Sequence, residues 1–281
     1  MSFVWRAILL LTLLFSSNLY FAQDQPQQDP QEQSWQVLRS GLDDRHAWNR
    51  EAAVQALSLL PSNRRATGFA LTALKDKDVH VRAAAAVVLG QQHAHSSIPA
   101  LKEALNDPEI SVVLSAAHSL MLLKDPSAYQ VYYAILMGDR KSSVGLIQSQ
   151  LNRVKDPREL AKIGFEEGIG FVPYGGMGYE AYRTIRKNDG APVRAIAARF
   201  LADDSDPVSE DALIQTALAD NDESVRLAAL DALAQRRDPN SISRLMKNLS
   251  DPKAAIRYRT AAVILHLSSI GKKPRHLNVP H

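Results

Sequence analysis

The chain has 281 residues, a formal net charge of +3, 46% apolar residues and 22% charged residues, values typical of a protein that buries a core. It contains no cysteine, which excludes disulfides, thiolate metal sites, cysteine nucleophiles and a lipid-bearing cysteine. Because the small positive excess is spread along the chain, the charge does not indicate a nucleic-acid partner.

Residues 1–22 have the pattern of a signal peptide. Arg6 supplies the positive start, residues 7–15 (AILLLTLLF) form an unbroken apolar run, and a cleavage position follows Ala22. Tyr20 stands where a small residue is preferred, so an uncleaved signal anchor is the alternative. The apolar run is short for a full membrane span, however. We therefore expect an exported protein, periplasmic or extracellular, with no span after cleavage.

The composition of the next segment, residues 23–34, predicts a disordered linker. It is rich in Gln, Asp and Pro and has no large apolar residue, so it cannot bury enough surface to offset the entropy of ordering. We expect the folded part of the chain to begin at residue 35.

An internal repeat organises the chain from there on. One frame, of which Val225-Arg226 ending in Leu233 is the clearest copy, recurs in steps of 31 or 32 residues with a single step of 49. Repeats of this length are typical of helical solenoids. The copies start at Asn49, Val81, Val112, Val144, Val193, Val225 and Ile256.

A second set of residues, which we call the Asp ladder, repeats at the same intervals as the frame. An Asp or Asn lies five residues before each start: Asp44, Asp76, Asp107, Asp139, Asn188, Asp220 and Asp251. We expect these side chains to cap the helix that follows. An arginine lies one place after five of the starts, and we call these residues the Arg ladder: Arg50, Arg82, Arg194, Arg226 and Arg257. We expect each one to extend its stem over apolar surface or to pair with an Asp of the next repeat.

The pattern is similar to that of the HEAT-repeat family. It resembles short bacterial units with V-R-x-x-A-A-x-x-L and an Asp-Pro or Asp-x-Asp turn, here Asp107-Pro108, Asp251-Pro252 and Asp76-Lys77-Asp78. Units of this type also occur in phycobilisome lyases. The resemblance implies an all-α fold, a right-handed α-solenoid of helix-turn-helix repeats over residues 35–270. It implies little about function, because such solenoids serve unrelated roles.

Two boundaries of the solenoid are predicted from composition. Trp35 and Trp48 are expected to seal an exposed N-terminal end, with residues 35–42 as the last helix of a capping half-repeat. Residues 271–281 lose the periodicity and predict a basic tail.

The 49-residue step contains an insertion at about residues 164–180. Six of the 13 glycines fall within fifteen residues there. Glycine permits close backbone approach, and rigid aromatic side chains give large contact area. A binding loop would use the large side chains between the glycines: Phe165, Phe171, Tyr174, Met177 and Tyr179.

Two other interpretations of the loop stay open. Its aromatic residues could fold back and cap the local core. A phosphate-cradling loop is the third reading, but Gly168-Ile169-Gly170 lacks the third glycine of a dinucleotide fingerprint, and no Gly-Lys-Ser/Thr follows.

A search for catalytic groups finds none that assigns a reaction. His93 and His95 form an H-x-H with no nearby carboxylate, and the chain has no His-Glu dipeptide of the kind that binds di-iron in some HEAT-like enzymes. Glu166-Glu167 could serve as an acid-base pair, but adjacent surface carboxylates are usually only solvated. The sequence predicts no catalytic residue, no metal site and no cofactor.

The sequence therefore favours a scaffold that holds another protein on the concave face formed by the second helices and on the 164–179 loop. An enzyme or small-ligand-binding protein that uses the same loop is the alternative. A stabilising module within a larger envelope assembly is a third reading. Nucleic acid is disfavoured, because the Arg ladder is coupled to the Asp ladder.

Overall fold

The computed structural model describes residues 29–137 and 191–270, and in these ranges every regular element is a helix. In chain order the helices are α1 (Pro30–Leu42), α2 (Ala47–Ala56), α3 (Arg64–Ala73), α4 (Val79–Gln91), α5 (Ile98–Ala104), α6 (Ile110–Leu122), α7 (Ser127–Met137), α8 (Ala191–Phe200), α9 (Pro207–Ala219), α10 (Glu223–Arg236), α11 (Ile242–Leu245) and α12 (Ala254–Ile270). The predicted all-α solenoid is confirmed. The predicted signal peptide 1–22, loop 164–180 and tail 271–281 lie outside the described residues.

The helices form two layers. The first helices of the repeats include α1, α3, α5, α9 and α11, and the second helices include α2, α4, α6, α8, α10 and α12. The second helices pack side by side, α8 on α10 on α12 and α2 on α4 on α6. Small residues permit this approach: a Cβ on Gly90 of α4 would lie 2.6 Å from Ser119 Oγ of α6. Ser119 Oγ donates to the Ala86 carbonyl across the same contact at 2.8 Å.

The turns before α4 and α10 are built by two acidic positions rather than one. Asp76 Oδ1 accepts a hydrogen bond from Asp78 N at 2.8 Å and so fixes the turn. Asp78 is the N-cap of α4 and accepts from the His80 and Val81 amides. The ladder Asp was expected to cap the helix itself. It lies two residues too early for that and instead orders the turn that brings the capping residue into place.

Helix α1 begins before the predicted boundary. Asp29 caps it by accepting from Gln31 N at 3.0 Å, and Pro30 occupies the first turn. Ser34 is buried, and its hydroxyl donates to the Pro30 carbonyl. The linker predicted over residues 23–34 is therefore wrong from residue 30 onward. An Asp-Pro helix start outweighs the low hydrophobicity of the segment.

The last repeat packs against the first. Helix α12 lies along α1 and also contacts α2, and we call this contact the seam. Tyr258 of α12 is only 2% exposed, and a Cβ on Gly41 of α1 would lie 2.5 Å from Tyr258 Cζ and 2.8 Å from Ala53 Cβ of α2. The order of units in space is thus α8 to α12 followed by α1 to α7, which differs from the order in the chain.

The seam corrects the expected role of the two tryptophans. Trp35 is buried, with its ring centroid 6.1 Å from that of Phe69 and with the Arg65 guanidinium 4.4 Å above it. Trp48 is 66% exposed and stacks on His46 at 4.5 Å. Helix α12, rather than this pair, covers the N-terminal repeat, because a solenoid whose terminal repeats meet has no open end at that position.

Candidate interaction surface

The predicted pairing of the two ladders is present and links successive repeats. Arg50 holds Asp76 with two hydrogen bonds, from Nε and Nη2, each 2.7 Å long. Arg82 holds Asp107 in the same way at 2.8 and 3.0 Å, and Arg194 holds Asp220 at 2.9 and 3.1 Å. The fourth pair, Arg226 with Asp251, uses Nη2, while Nε donates to the Ala217 carbonyl.

The guanidinium groups of Arg50 and Arg82 are also fixed to the turns that precede their own helices. Arg50 Nη1 donates to the Asp44 and Arg45 carbonyls at 2.9 and 3.1 Å, and Arg82 Nη1 donates to the two equivalent carbonyls of its repeat. The Arg50 hydrogen bonds lower the pKa of Asp76, and those of Arg194 lower the pKa of Asp220. The charges of the paired arginines and aspartates are therefore satisfied within the molecule, at the edge where first and second helices meet.

The ladder is interrupted at the seam. Arg257 Nη1 donates to the Asp251 and Pro252 carbonyls at 2.6 and 3.0 Å, as its counterparts do. Within the described ranges no carboxylate pairs with it. Asp44, the ladder residue of the adjoining repeat, keeps the turn hydrogen bond from His46 N at 2.8 Å, and its side chain pairs with the His46 ring at 3.1 Å.

One face of the second helices is partly exposed to solvent. Its side chains recur every four residues, which places them on one side of each helix, and they are half-buried or exposed. We call this set the second-helix face: Glu51, Gln55, Val87, Gln91, Leu114, His118, Leu122, Leu227, Asp231 and Gln235.

Polar bridges make the second-helix face continuous across the seam. Arg259 of α12 donates to Asp231 of α10 and, at 3.2 Å, to Ser58 Oγ at the end of α2. Gln235 donates to Asp203 at 2.7 Å, which joins the ends of α10 and α8. These cross-links hold neighbouring second helices in register, so the face is a connected surface over both described ranges.

Two titratable groups on this face are perturbed by their surroundings. Partial burial raises the pKa of Glu51, and burial lowers the pKa of His118. Both shifts favour the neutral form of the side chain, as expected for charged groups removed from water. Of the ten members of the face only Glu51, His118 and Asp231 are ionisable, so the face is weakly charged. It is also partly apolar, with Val87 and Leu114 among its members.

Further apolar side chains are exposed on α6, α7 and α8, near the limits of the two described ranges. Tyr129 of α7 is exposed, as are Met121 and Leu122 at the end of α6. On α8 an exposed stripe recurs at helical spacing, formed by Val193, Ala197 and Phe200, the last being 78% exposed. Exposed apolar patches of this kind are common at protein interfaces.

The five residues predicted for partner binding, Phe165, Phe171, Tyr174, Met177 and Tyr179, lie outside the described residues, so their role stays a prediction. The individual members of the second-helix face were not identified from the sequence. Their spacing of four could have found them, because most of the positions two, six and ten residues after the frame starts at Asn49, Val81, Val112 and Val225 alternate with the buried ones.

The described ranges contain no other recognisable chemistry. His93 and His95 are exposed in the turn after α4. No group of three or more His, Cys, Asp or Glu side chains in these ranges could hold a metal ion. Among the same residues, no helix combines the length and the apolar character that a membrane span requires.

Comparison with known proteins assigns the class. The family model of HEAT repeats matches residues 35–121, 68–144 and 184–265, more than half of the chain. The chain belongs to the HEAT-repeat family. Repeats of this family are typical of helical scaffolds for protein interactions.

Two solved structures are similar to this chain at low identity. The CpcE–CpcF complex of phycocyanin lyase from Nostoc sp. PCC7120 is 20% identical with a TM-score of 0.35, over 87% of this chain and 97% of that one. Human deoxyhypusine hydroxylase in complex with glycerol is 15% identical with a TM-score of 0.32, over 84% of each chain. Neither likeness assigns an activity. A comparison with curated proteins gives no match.

Proposed function

We propose that this protein is an exported scaffold that holds another protein on the second-helix face and on the 164–179 loop. The observation that carries the proposal is the connected, weakly charged second-helix face, bridged through Asp231, Arg259 and Ser58. A partly apolar surface of fixed shape suits a protein partner, because burying apolar side chains at an interface supplies most of the binding free energy.

The use of the ladder charges also favours a protein partner over a nucleic acid. A phosphate backbone is bound by arginines and lysines whose charge is available. In this chain Arg50, Arg82, Arg194 and Arg226 each hold an aspartate of the next repeat. Their net contribution to the potential of the surface is therefore small.

Export rests on the sequence of residues 1–22. We expect cleavage after Ala22 and a periplasmic or extracellular location, with a tether to the inner membrane if the signal is retained. The mass of the protein purified from its own cells distinguishes the two forms, since cleavage gives a chain that begins at Gln23. Recovery of the protein in the cytoplasmic fraction with residues 1–22 intact would refute export.

An alternative is an enzyme or small-ligand-binding protein that uses the loop with Glu166 and Glu167. A bound metal found by elemental analysis, or a melting temperature raised by a small molecule, would favour it. A stabilising module in a larger envelope assembly is a further alternative, and cross-linking in intact cells would show its neighbours.

Site-specific photo-cross-linking tests the scaffold. A benzophenone side chain replaces Leu114 on α6, and a matched variant carries it at Ala212, which is exposed on the first helix α9. We expect Leu114 to capture one defined protein in intact cells and Ala212 to capture none. Capture from Ala212 alone would contradict the assigned face.

The loop is tested by deleting residues 164–178. We expect partner recovery from the Leu114 cross-linker to fall at least tenfold while the helical circular dichroism is kept. Unchanged recovery with a folded deletion variant would remove the loop from the proposal and leave the second-helix face.

A further inference from the structure

The paired arginines of the ladder show that a position of this kind binds an aspartate. At Arg50 and Arg82, Nη1 is anchored on two carbonyls of the preceding turn, and the Nε–Nη2 edge then grips a carboxylate with two hydrogen bonds. The guanidinium is planar and its donors form a fixed fork, so anchoring one nitrogen orients the other edge. Each such position is therefore a preorganised site for an aspartate.

Arg257 has the same anchor but lacks the aspartate. Its Nη1 bonds to the Asp251 and Pro252 carbonyls, and its guanidinium carbon lies 5.4 Å from the centre of the Tyr258 ring. Within the described ranges no carboxylate pairs with its Nε–Nη2 edge.

The seam explains why the aspartate is missing. At the other described junctions a second helix packs mainly on the next second helix, but α12 packs on α1 as well as on α2. The ladder residue of the adjoining repeat, Asp44, pairs with the His46 ring instead. The irregular contact at Gly41 thus leaves Arg257 as the last position of the ladder, half-buried and held in shape.

We propose that Arg257 is a binding position for an aspartate of the partner protein. The inference rests on the proposed scaffold function and adds the chemistry of one contact. We expect this aspartate to stand at the start of a turn, as do the aspartates that the other ladder arginines bind. In this chain the example is Asp107-Pro108-Glu109, where Asp107 Oδ1 accepts from Glu109 N at 2.9 Å.

A second copy of this chain is a poorer source of that aspartate. In the described ranges the ladder residues Asp76, Asp107, Asp220 and Asp251 are each already held by an arginine. Asp44 already pairs with the His46 ring at 3.1 Å. Releasing one of them would break an existing side-chain pair to form another, with little net gain. A different protein whose turn aspartate is free has no such cost.

The test uses the purified protein and the peptide acetyl-Asn-Asp-Pro-Glu-amide, with acetyl-Asn-Asn-Pro-Glu-amide as the matched control. Nitrogen-15 NMR follows the Nε–Hε signals, and Arg257→Lys identifies the signal of Arg257 by its loss. We expect the Asp peptide to shift that signal to saturation, with a dissociation constant on the order of millimolar. The Arg50 and Arg82 signals should stay in place, and the Asn peptide should bind at least tenfold more weakly.

Two results would overturn the inference. One is an Arg257 signal that does not saturate with the Asp peptide, and the other is an equal response to the Asn peptide. Neither result depends on the scaffold proposal, which the Leu114 cross-linker tests separately. Failure of the cross-linker with a positive peptide titration would identify the scaffold proposal as the part at fault.

Discussion

The Arg50–Asp76 pair should contribute far more to stability than a surface ion pair does. The side chains of Arg50 and Asp76 are only 9% and 15% exposed. Asp76→Ala removes the turn hydrogen bond to Asp78 N, about 1 kcal/mol. It also leaves the guanidinium without a counter-charge, which costs about 3 kcal/mol at the lower end of the range for buried pairs. We expect the free energy of unfolding to fall by about 4 kcal/mol.

Asp44→Ala is the matched control for this prediction. Asp44 occupies the same ladder position and accepts the same turn hydrogen bond, from His46 N at 2.8 Å, but no arginine among the described residues holds it. We expect a loss of about 1 kcal/mol. Urea unfolding followed by circular dichroism at 222 nm measures both variants, and tryptophan fluorescence checks that the transitions coincide. Equal losses for the two variants would refute the role assigned to the arginine.

Three further predictions concern the seam, the turns and pH. Gly41→Ala should destabilise the protein by about 1–3 kcal/mol, because its Cβ would overlap Tyr258. Gly68→Ala, with nothing within 4 Å of the new Cβ, should stabilise it by about 1 kcal/mol, and equal effects in urea unfolding would contradict the seam. Lys124→Gly should raise the melting temperature, since Lys124 has a φ of 60° and a left-handed residue other than glycine costs about 1 kcal/mol; a lowered melting temperature would oppose this. Burial lowers the pKa of His118 and His266 below the usual 6.5. The stability that their neutral forms give the folded protein is therefore fully present above pH 6.5 and is lost as the pH falls below that value. The double variant His118→Gln, His266→Gln should make the free energy of unfolding less dependent on pH below pH 6.5. An unchanged pH dependence in that range would contradict this role of the two histidines.

Local patterns predicted the repeat well. The frame starts, the small residues between second helices and the pairing of Arg with the next Asp all follow from spacing, because each depends on neighbouring units only. The start of α1 was missed because Asp29-Pro30 lies in a polar segment whose composition resembles a linker. The ladder Asp was assigned to the helix cap because Asp76 and Asp78 both suit a turn, and sequence alone does not show which one caps.

The seam could not be predicted from any local pattern. Whether α12 reaches α1 depends on the small rotations between repeats summed over the whole solenoid, and no single residue encodes that sum. Gly41 and Tyr258 are unremarkable in the sequence and acquire their roles only when the helices meet. The interruption of the ladder at Arg257 follows from the same contact, so it could not be found before the fold was known.

Hydrogen–deuterium exchange of the protein with the partner captured from Leu114 tests the central claim most directly. The proposed scaffold predicts slower exchange, on binding, in α2, α4 and α6 and in the 164–179 loop, with α3, α5 and α9 unchanged. Slower exchange confined to α3, α5 and α9 would place the partner on the first helices and contradict the account.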